Sequence, residues 1–331
     1  MSNKVYEPIL PPTVHDADPR ANLSDVEQEM YEVVLQYFLD TSYSLPGNEG
    51  KGELTEAEKF WLSRECLLRY LRAVKWKSTK AAIQRLEATL KWRREYQIYD
   101  VVSTSLVEPE AVTGKQILFG YDLRGRPGLY LFPSRQNTDG PERQIQFTVW
   151  MLERTIDLMG PGVETLALLI NYGDKAKNPS LSVARTVLNI LQDHYPERLG
   201  AALILNVPFL LNAFYKLINP FIDPVSRDKM KFNPRVIEDK LFTGDMVMSE
   251  WWGGDCDFEY VHDKYWPTLV SICESRRKVW LEKWRTLGGT VGLKEWEYKS
   301  GKTISVAANK EKVVDQPEQL DVLSCVDPMA V

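Results

Sequence analysis

Two short clusters of polar side chains carry the residue types that could do chemistry in this chain. The first is Pro196-Glu197-Arg198, a carboxylate beside a guanidinium. The second is Ser226-Arg227-Asp228-Lys229, which sets a hydroxyl next to three charged groups. Between them, the seventeen residues Leu199 to Tyr215 carry no charge. Acceptors, donors and positive charge at both ends of a greasy run suit non-covalent binding of something apolar with a charged head.

The elements that must position these clusters follow from the run itself. A bilayer-spanning helix needs roughly 20 consecutive apolar residues, and Gly200, Asn206 and Pro208 interrupt this one. Ala201–Val207 reads as a short buried strand. Pro208 then suits the first turn of a helix, where its missing N–H costs nothing. From Phe209 to Ile222 the pattern is apolar on nearly every side, relieved only by Asn212, Lys216 and Asn219. A helix greasy all round must be covered all round. It is either a central core helix or one wall of a lipid pocket.

The rest of the chain divides by texture. Residues 1–22, rich in Pro, Asp and Asn, are expected to be disordered, and they open an N-terminal extension (1–52) with one short helix. That helix starts at the capping box Ser24-x-x-Glu27, and a second such box at Thr55-x-x-Glu58 starts a helix running into LLRYLRAVKW. A further helix over 78–96, with Ile83, Leu86 and Leu90 on one face, completes a helical unit at 53–100. Residues 101–260 form an α/β domain. Strands QILFGYD and GLYLF flank the turn Leu123–Pro127, and then come a helix near 142–159, strand Thr165–Asn171, a helix near 182–194, strand Ala201–Val207 and a strand at 230–232. Strands alternating with helices imply substantial parallel pairing. A long amphipathic helix occupies 262–286 within a C-terminal segment 261–300, and 301–331 reads as a loose tail.

Several function classes lose support. The net charge of −5 argues against a nucleic-acid binder. The four cysteines form no CxxC pair, and the three histidines are too scattered for a zinc site. No phosphate loop, dinucleotide fingerprint, nucleophile elbow or H-E-x-x-H motif is present. Gly160-Pro161-Gly162 reads as a turn. The first residues, MSNKVYEPILPP, lack the pattern of a signal peptide. The expectation is a non-enzymatic, cytoplasmic protein without cofactor or metal.

LLRYLRAVKW with the following KWRREY, DLRGRP at 122–127, HYPERLG at 194–200, the NVPF junction and INPFIDPVSRDK at 218–229 together resemble the CRAL-TRIO lipid-binding family. Within it, the chain is most similar to fungal phosphatidylinositol transfer proteins, in particular the branch linked to azole-drug tolerance. The resemblance implies an α/β fold: a helical N-terminal unit, then a mainly parallel sheet floor with a gating helix over a lipid cavity. It implies binding and transfer of phosphatidylinositol, sterol as a second ligand, and transient peripheral association with membranes or lipid droplets. The alternative is a regulator that presents its lipid to a lipid kinase without bulk transfer.

Carried over residue by residue, the resemblance assigns Glu197 and Lys229 to the phosphatidylinositol headgroup. Ser226 is the hydroxyl residue of the second motif, with Arg198 and Arg227 as neighbours. An inositol ring needs acceptors for its hydroxyls, and a phosphodiester needs donors and positive charge. By pattern alone, Glu197 and Lys229 would be surface charges. Some family members have an arginine where this chain has Val74, which leaves Arg72 or Lys75 to supply that contact or leaves it unmade. Positions that recognise phosphatidylcholine elsewhere in the family fall on Leu118, Leu129, Leu152, Leu166 and Leu168. Leucine offers neither a phosphate donor nor an aromatic cage for a quaternary ammonium, so phosphatidylcholine should be excluded. Phe209, Phe214, Leu217 and Phe221 belong to the expected gate. Gly253 and Gly254 are either its hinge or an ordinary turn.

Overall fold

A computed structural model describes residues 4–47, 52–173, 181–207 and 227–300. Helix α1 (Asp25–Leu39) begins at Ser24, whose side chain accepts from the Glu27 N–H while Glu27 reaches back to the cap, the reciprocal arrangement the sequence predicts. Thr55 and Glu58 do the same for α2 (Glu56–Trp61). The helix expected to continue from there breaks at Leu62. Ser63 accepts from the Cys66 N–H and caps a new helix, α3 (Arg64–Ala73). A serine hydroxyl offers the backbone an alternative to helix continuation, and here it also donates to the buried Glu295 carboxylate at 2.7 Å. Helix α4 (Thr79–Glu95) follows. Tyr31, Val34 and Phe38 of α1 share one apolar cluster with Leu67, Leu71, Leu86 and Leu90 of α3 and α4. A helix with little apolar periodicity, α5 (Thr104–Ala111), escaped the pattern reading.

Strands β1 (Gln116–Tyr121), β2 (Pro127–Leu131), β3 (Leu166–Asn171), β4 (Leu199–Leu205) and β5 (Met230–Phe232) form one five-stranded sheet in sequential order. Only β1 and β2 are antiparallel. They are joined by the expected tight turn, in which Asp122 accepts from the backbone N–H groups of Arg124 and Arg126. Parallel strands need crossovers, and helices α6 (Pro141–Asp157) and α7 (Leu181–His194) occupy the β2–β3 and β3–β4 connections. Pro141 opens α6, where its missing N–H is harmless. β4 starts at Leu199, two residues earlier than the apolar pattern suggests, because Gly200 is an extra residue where the register with β3 shifts.

Helix α8 (His262–Thr286) matches its expected span and packs across α5 and α6, with Trp266 and Trp150 ring centroids 4.7 Å apart. Its Tyr265 hydroxyl accepts from the Leu118 N–H at 2.6 Å and donates to the Leu118 carbonyl at 2.9 Å. This satisfies backbone groups of the edge strand β1 that would otherwise be unpaired. A short helix, α9 (Glu295–Lys299), follows.

The expectation of disorder at the N-terminus is corrected. Val5 makes two backbone hydrogen bonds, to Asp257 and Glu259. Lys4 pairs with Glu259, and the Lys264 ammonium lies 3.7 Å from the Tyr6 ring centroid. Further on, Val14 lies against Gly125, and Pro19 against Gly162. A Pro- and Asp-rich composition forbids regular secondary structure, but it does not prevent an extended segment from being tied down by side chains far away in sequence.

Gly120 sits in β1 at φ +62°, and a Cβ there would approach the Met246 carbonyl oxygen to 1.8 Å. Backbone cannot yield as a side-chain end can, so strain and overlap add. Gly120→Ala should lower the unfolding free energy by about 2–4 kcal/mol, read by urea denaturation. A change within about 0.5 kcal/mol would mean that β1 is far less constrained than its packing indicates.

Candidate functional site

Because side chains alternate across a strand, each strand of a doubly buried sheet contributes to two faces. On one face, Tyr130, Leu169 and Leu203 are buried, and the edge of Trp252 meets Tyr130 at 5.7 Å. On the other, Leu129 and Leu131 of β2 stand beside Leu168 and Ile170 of β3, which stand beside Ala202 and Ile204 of β4. This second face lines a cavity of about 690 Å³, walled opposite by Leu152 of α6 and by Leu188 and Leu191 of α7. That volume is within the range of ligand sites, roughly 300–1,000 Å³.

The cavity has two ends. Leu166 and Leu199 mark the starts of β3 and β4, and Ile170 lies four residues further, about 13 Å along the strand. Charged side chains gather at the starting end: Glu197, Arg198 and Lys229, with Arg72 and Lys75 at the end of α3, Arg85 of α4 and Asp193. Among the described lining residues, five cations thus accompany two carboxylates. Glu197 holds φ +58°, a left-handed backbone rarely adopted by non-glycine residues. The Lys229 ammonium donates to the Leu199 carbonyl at 2.8 Å. Among the described ion pairs, none joins Glu197 to Lys229.

One buried carboxylate organises the cations from behind. Glu164 lies just before β3, and its side chain is 3% exposed. One of its oxygens accepts from Arg20 at 2.7 Å; the other accepts from Arg69 at 3.2 Å and Arg72 at 2.8 Å. Its backbone carbonyl accepts from Arg198 at 2.9 Å. Burial alone would raise this carboxyl's pKa, but Arg72, Arg69 and Arg20 overcome it and hold the pKa at about 2. Burial pulls Arg198 the other way, down to about 10, aided by the like charge of Arg69. The group is still a cation at neutral pH.

Of the residues singled out from sequence, Glu197, Arg198, Lys229, Leu129, Leu152, Leu166 and Leu168 line this one cavity. Leu118, paired opposite Leu129 on the edge strand, is fully buried and is not among the lining residues. Arg227 is exposed and is not on the lining either. Ser226 and the expected gate residues Phe209, Phe214, Leu217 and Phe221 lie outside the described residues. Gly253 and Gly254 lie in a turn bonded back to Ser249 and Met248, and neither is on the cavity lining. Sequence reasoning missed Arg85, Glu164, Arg69 and Arg20, because no spacing rule links residues so far apart in the chain. Glu164, isolated beside an apolar strand, was the one available signal.

Comparison with known proteins fits this geometry. Residues 111–244 match the CRAL/TRIO domain and residues 30–88 the CRAL/TRIO N-terminal domain. The chain is 37% identical to phosphatidylinositol transfer protein PDR17 of Saccharomyces cerevisiae, over 84% of both proteins. It belongs to the CRAL-TRIO family. A second relative, CRAL-TRIO domain-containing protein C23B6.04c of Schizosaccharomyces pombe, is 49% identical over 85% of this chain, which spans only 28% of that longer protein. The crystal structure of Sfh5 matches at a TM-score of 0.54 and 17% identity, covering 73% of this chain and 92% of that one, which establishes the shared fold. As a CRAL-TRIO protein, the chain has the mainly parallel sheet and helical N-terminal region that its motifs implied. Among the described residues, no helix is long and apolar enough to cross a membrane, and no cluster of side chains could hold a metal ion.

Glu164 has a folded-state pKa depressed below the ordinary carboxylate value. Its stabilisation is therefore complete above that ordinary value and is lost as pH falls toward about 2. Glu164→Gln takes from the buried Arg69 its nearer counter-charge, leaving Glu295 at 3.7 Å, and should cost about 3 kcal/mol at neutral pH. The gap to the wild type should narrow steadily below about pH 4.5. Urea unfolding of both proteins at several pH values measures this. A gap that stays constant into acid would show that shape, rather than charge, accounts for the loss.

Proposed function

We propose that this protein binds phosphatidylinositol and carries it between membranes. In this reading the acyl chains lie along the leucine-lined sheet face and the inositol phosphate sits at the charged end. The observation that carries it is the single cavity with two chemistries: apolar wall from Ile170 to Leu166, then Glu197, Arg198, Arg72, Lys75 and Lys229. Each CH₂ left in water costs roughly 0.8 kcal/mol, so a carrier must give two long chains an apolar enclosure. The name of the relative PDR17 points the same way.

Glu197 serves the inositol hydroxyls. Lys229 serves the phosphodiester, with Arg72 and Lys75 available in place of the arginine absent at Val74. Leu129, Leu152, Leu166 and Leu168 offer nothing to a choline head, so phosphatidylcholine is excluded, whereas an apolar sterol is admitted. The protein acts as a binding and transfer protein, not an enzyme, associating transiently with membrane surfaces.

Glu197→Ala and Lys229→Ala should each reduce phosphatidylinositol transfer between vesicles by roughly ten- to a hundredfold, the scale of a lost charge-assisted contact. Sterol binding and the melting temperature should be retained. Mass spectrometry of co-purifying lipid should show phosphatidylinositol in the wild type and little in either variant. Loss of transfer, sterol binding and thermal stability together would mean that the two residues serve the fold. Bound phosphatidylinositol without transfer between vesicles would instead favour a protein that presents its lipid to a lipid kinase.

A further inference from the structure

The extended N-terminal segment has no role in the function argued so far, yet it is anchored along its length. It pairs with the 257–259 segment at Val5, lies against the β1–β2 turn at Val14 and against Gly162 at Pro19, and ends with Arg20 on Glu164. Asp18, two residues before the end, faces the buried Arg64 at 3.9 Å and accepts from the Arg20 N–H at 2.8 Å. The final contact is the informative one. Glu164 has two carboxylate oxygens and three guanidinium partners. Arg20 alone takes one oxygen, and Arg69 and Arg72 share the other. Arg69 is 3% exposed and also faces Glu295 at 3.7 Å, so it is held from two sides. Arg72 is 22% exposed and lines the charged end of the cavity.

We propose that residues 4–20 are a strap whose Arg20 sets the position of Arg72, making the N-terminal segment part of the headgroup site. This rests on the reading of the charged end as the headgroup end. With Arg20 in place, Glu164 needs only one bond from Arg72. Without it, a carboxylate oxygen is left unpaired in a buried site, a costly state. A guanidinium is a planar fork that readily takes both oxygens of a carboxylate. Arg72 is the nearest partner with freedom to move, so it turns back onto Glu164 and away from the cavity. The headgroup end then loses a cation although no lining residue has changed. Arg20 is thus a positioning residue that acts through Glu164.

The test uses the full-length protein with Arg20→Gln, Arg20→Lys, Arg72→Gln and the double variant Arg20→Gln/Arg72→Gln. Transfer of pyrene-labelled phosphatidylinositol between phosphatidylcholine vesicles is measured alongside loading of pyrene-labelled diacylglycerol, which has no phosphate, and thermal unfolding. Arg20→Gln should lower phosphatidylinositol transfer by about three- to tenfold, the scale of one hydrogen bond. Diacylglycerol loading and Tm should stay unchanged, and Arg20→Lys should restore most of the transfer. On the Arg72→Gln background, Arg20→Gln should add nothing, because coupled residues are not additive. The proposal is overturned if Arg20→Gln leaves transfer unchanged, if its effect persists undiminished without Arg72, or if both lipids and Tm fall together. If the wild type transfers no phosphatidylinositol, or transfers it independently of Lys229, the headgroup reading falls and this proposal with it. Dependence on Lys229 with no effect of Arg20 overturns the strap alone.

Discussion

A parallel sheet has two apolar faces, and both must be covered. In this protein, chain fills one of them: Tyr130, Leu169 and Leu203 pack under Trp252 and the segment that follows β5. On the other face, α6 and α7 stand off far enough to leave a cavity lined by Leu129, Leu168, Ile204 and their neighbours. Protein interiors are otherwise packed to crystalline density with few voids. An apolar space of this size is therefore stable in water only with an apolar occupant, or with neighbours able to close over it. Strand alternation and helix placement both bear on that requirement.

The charged end meets a second requirement, that cations stand at the edge of an apolar space without collapsing onto each other. Arg72 and Arg198 reach the lining, and both are held from behind by Glu164, one through its carboxylate and the other through its backbone carbonyl. Arg69 and Arg20 complete the balance. Buried charges persist only when paired and hydrogen-bonded. Glu164, with four arginine contacts in all, satisfies that rule while leaving Arg72 and Arg198 at the cavity. Glu295, bonded to Ser63 and Lys299 and facing Arg69, extends the same network to α9. Residues from the N-terminal segment, α3, the approach to β3 and α9 thus converge on one electrostatic centre.

Local chemistry declared a good deal in advance. The capping boxes at Ser24 and Thr55, the turn at Leu123–Pro127, the described strands β1 to β5 with helices α6 and α7, and the full span of α8 carry patterns written in near neighbours in sequence, so pattern alone found them. Glu197 and Lys229, singled out together from the sequence, do line one cavity. The helix break at Ser63 was not legible. The serine's preference for a cap is weak by itself, and it becomes decisive through its bond to Glu295, 232 residues away.

What the sequence determined alone was therefore most of the elements and the residue types at the charged end, because both depend on residue type and short spacing. The tertiary structure decided which face of the sheet was left open, which cations share the cavity end, and that a Pro- and Asp-rich N-terminus is tied down as a strap. Those outcomes depend on pairings between residues such as Arg20 and Glu164, or Val5 and Phe258. Their partners lie 144 residues away in the first case and 253 in the second. No local period encodes such a pairing, because the entropy of closing so long a loop is recovered only when the whole domain has folded.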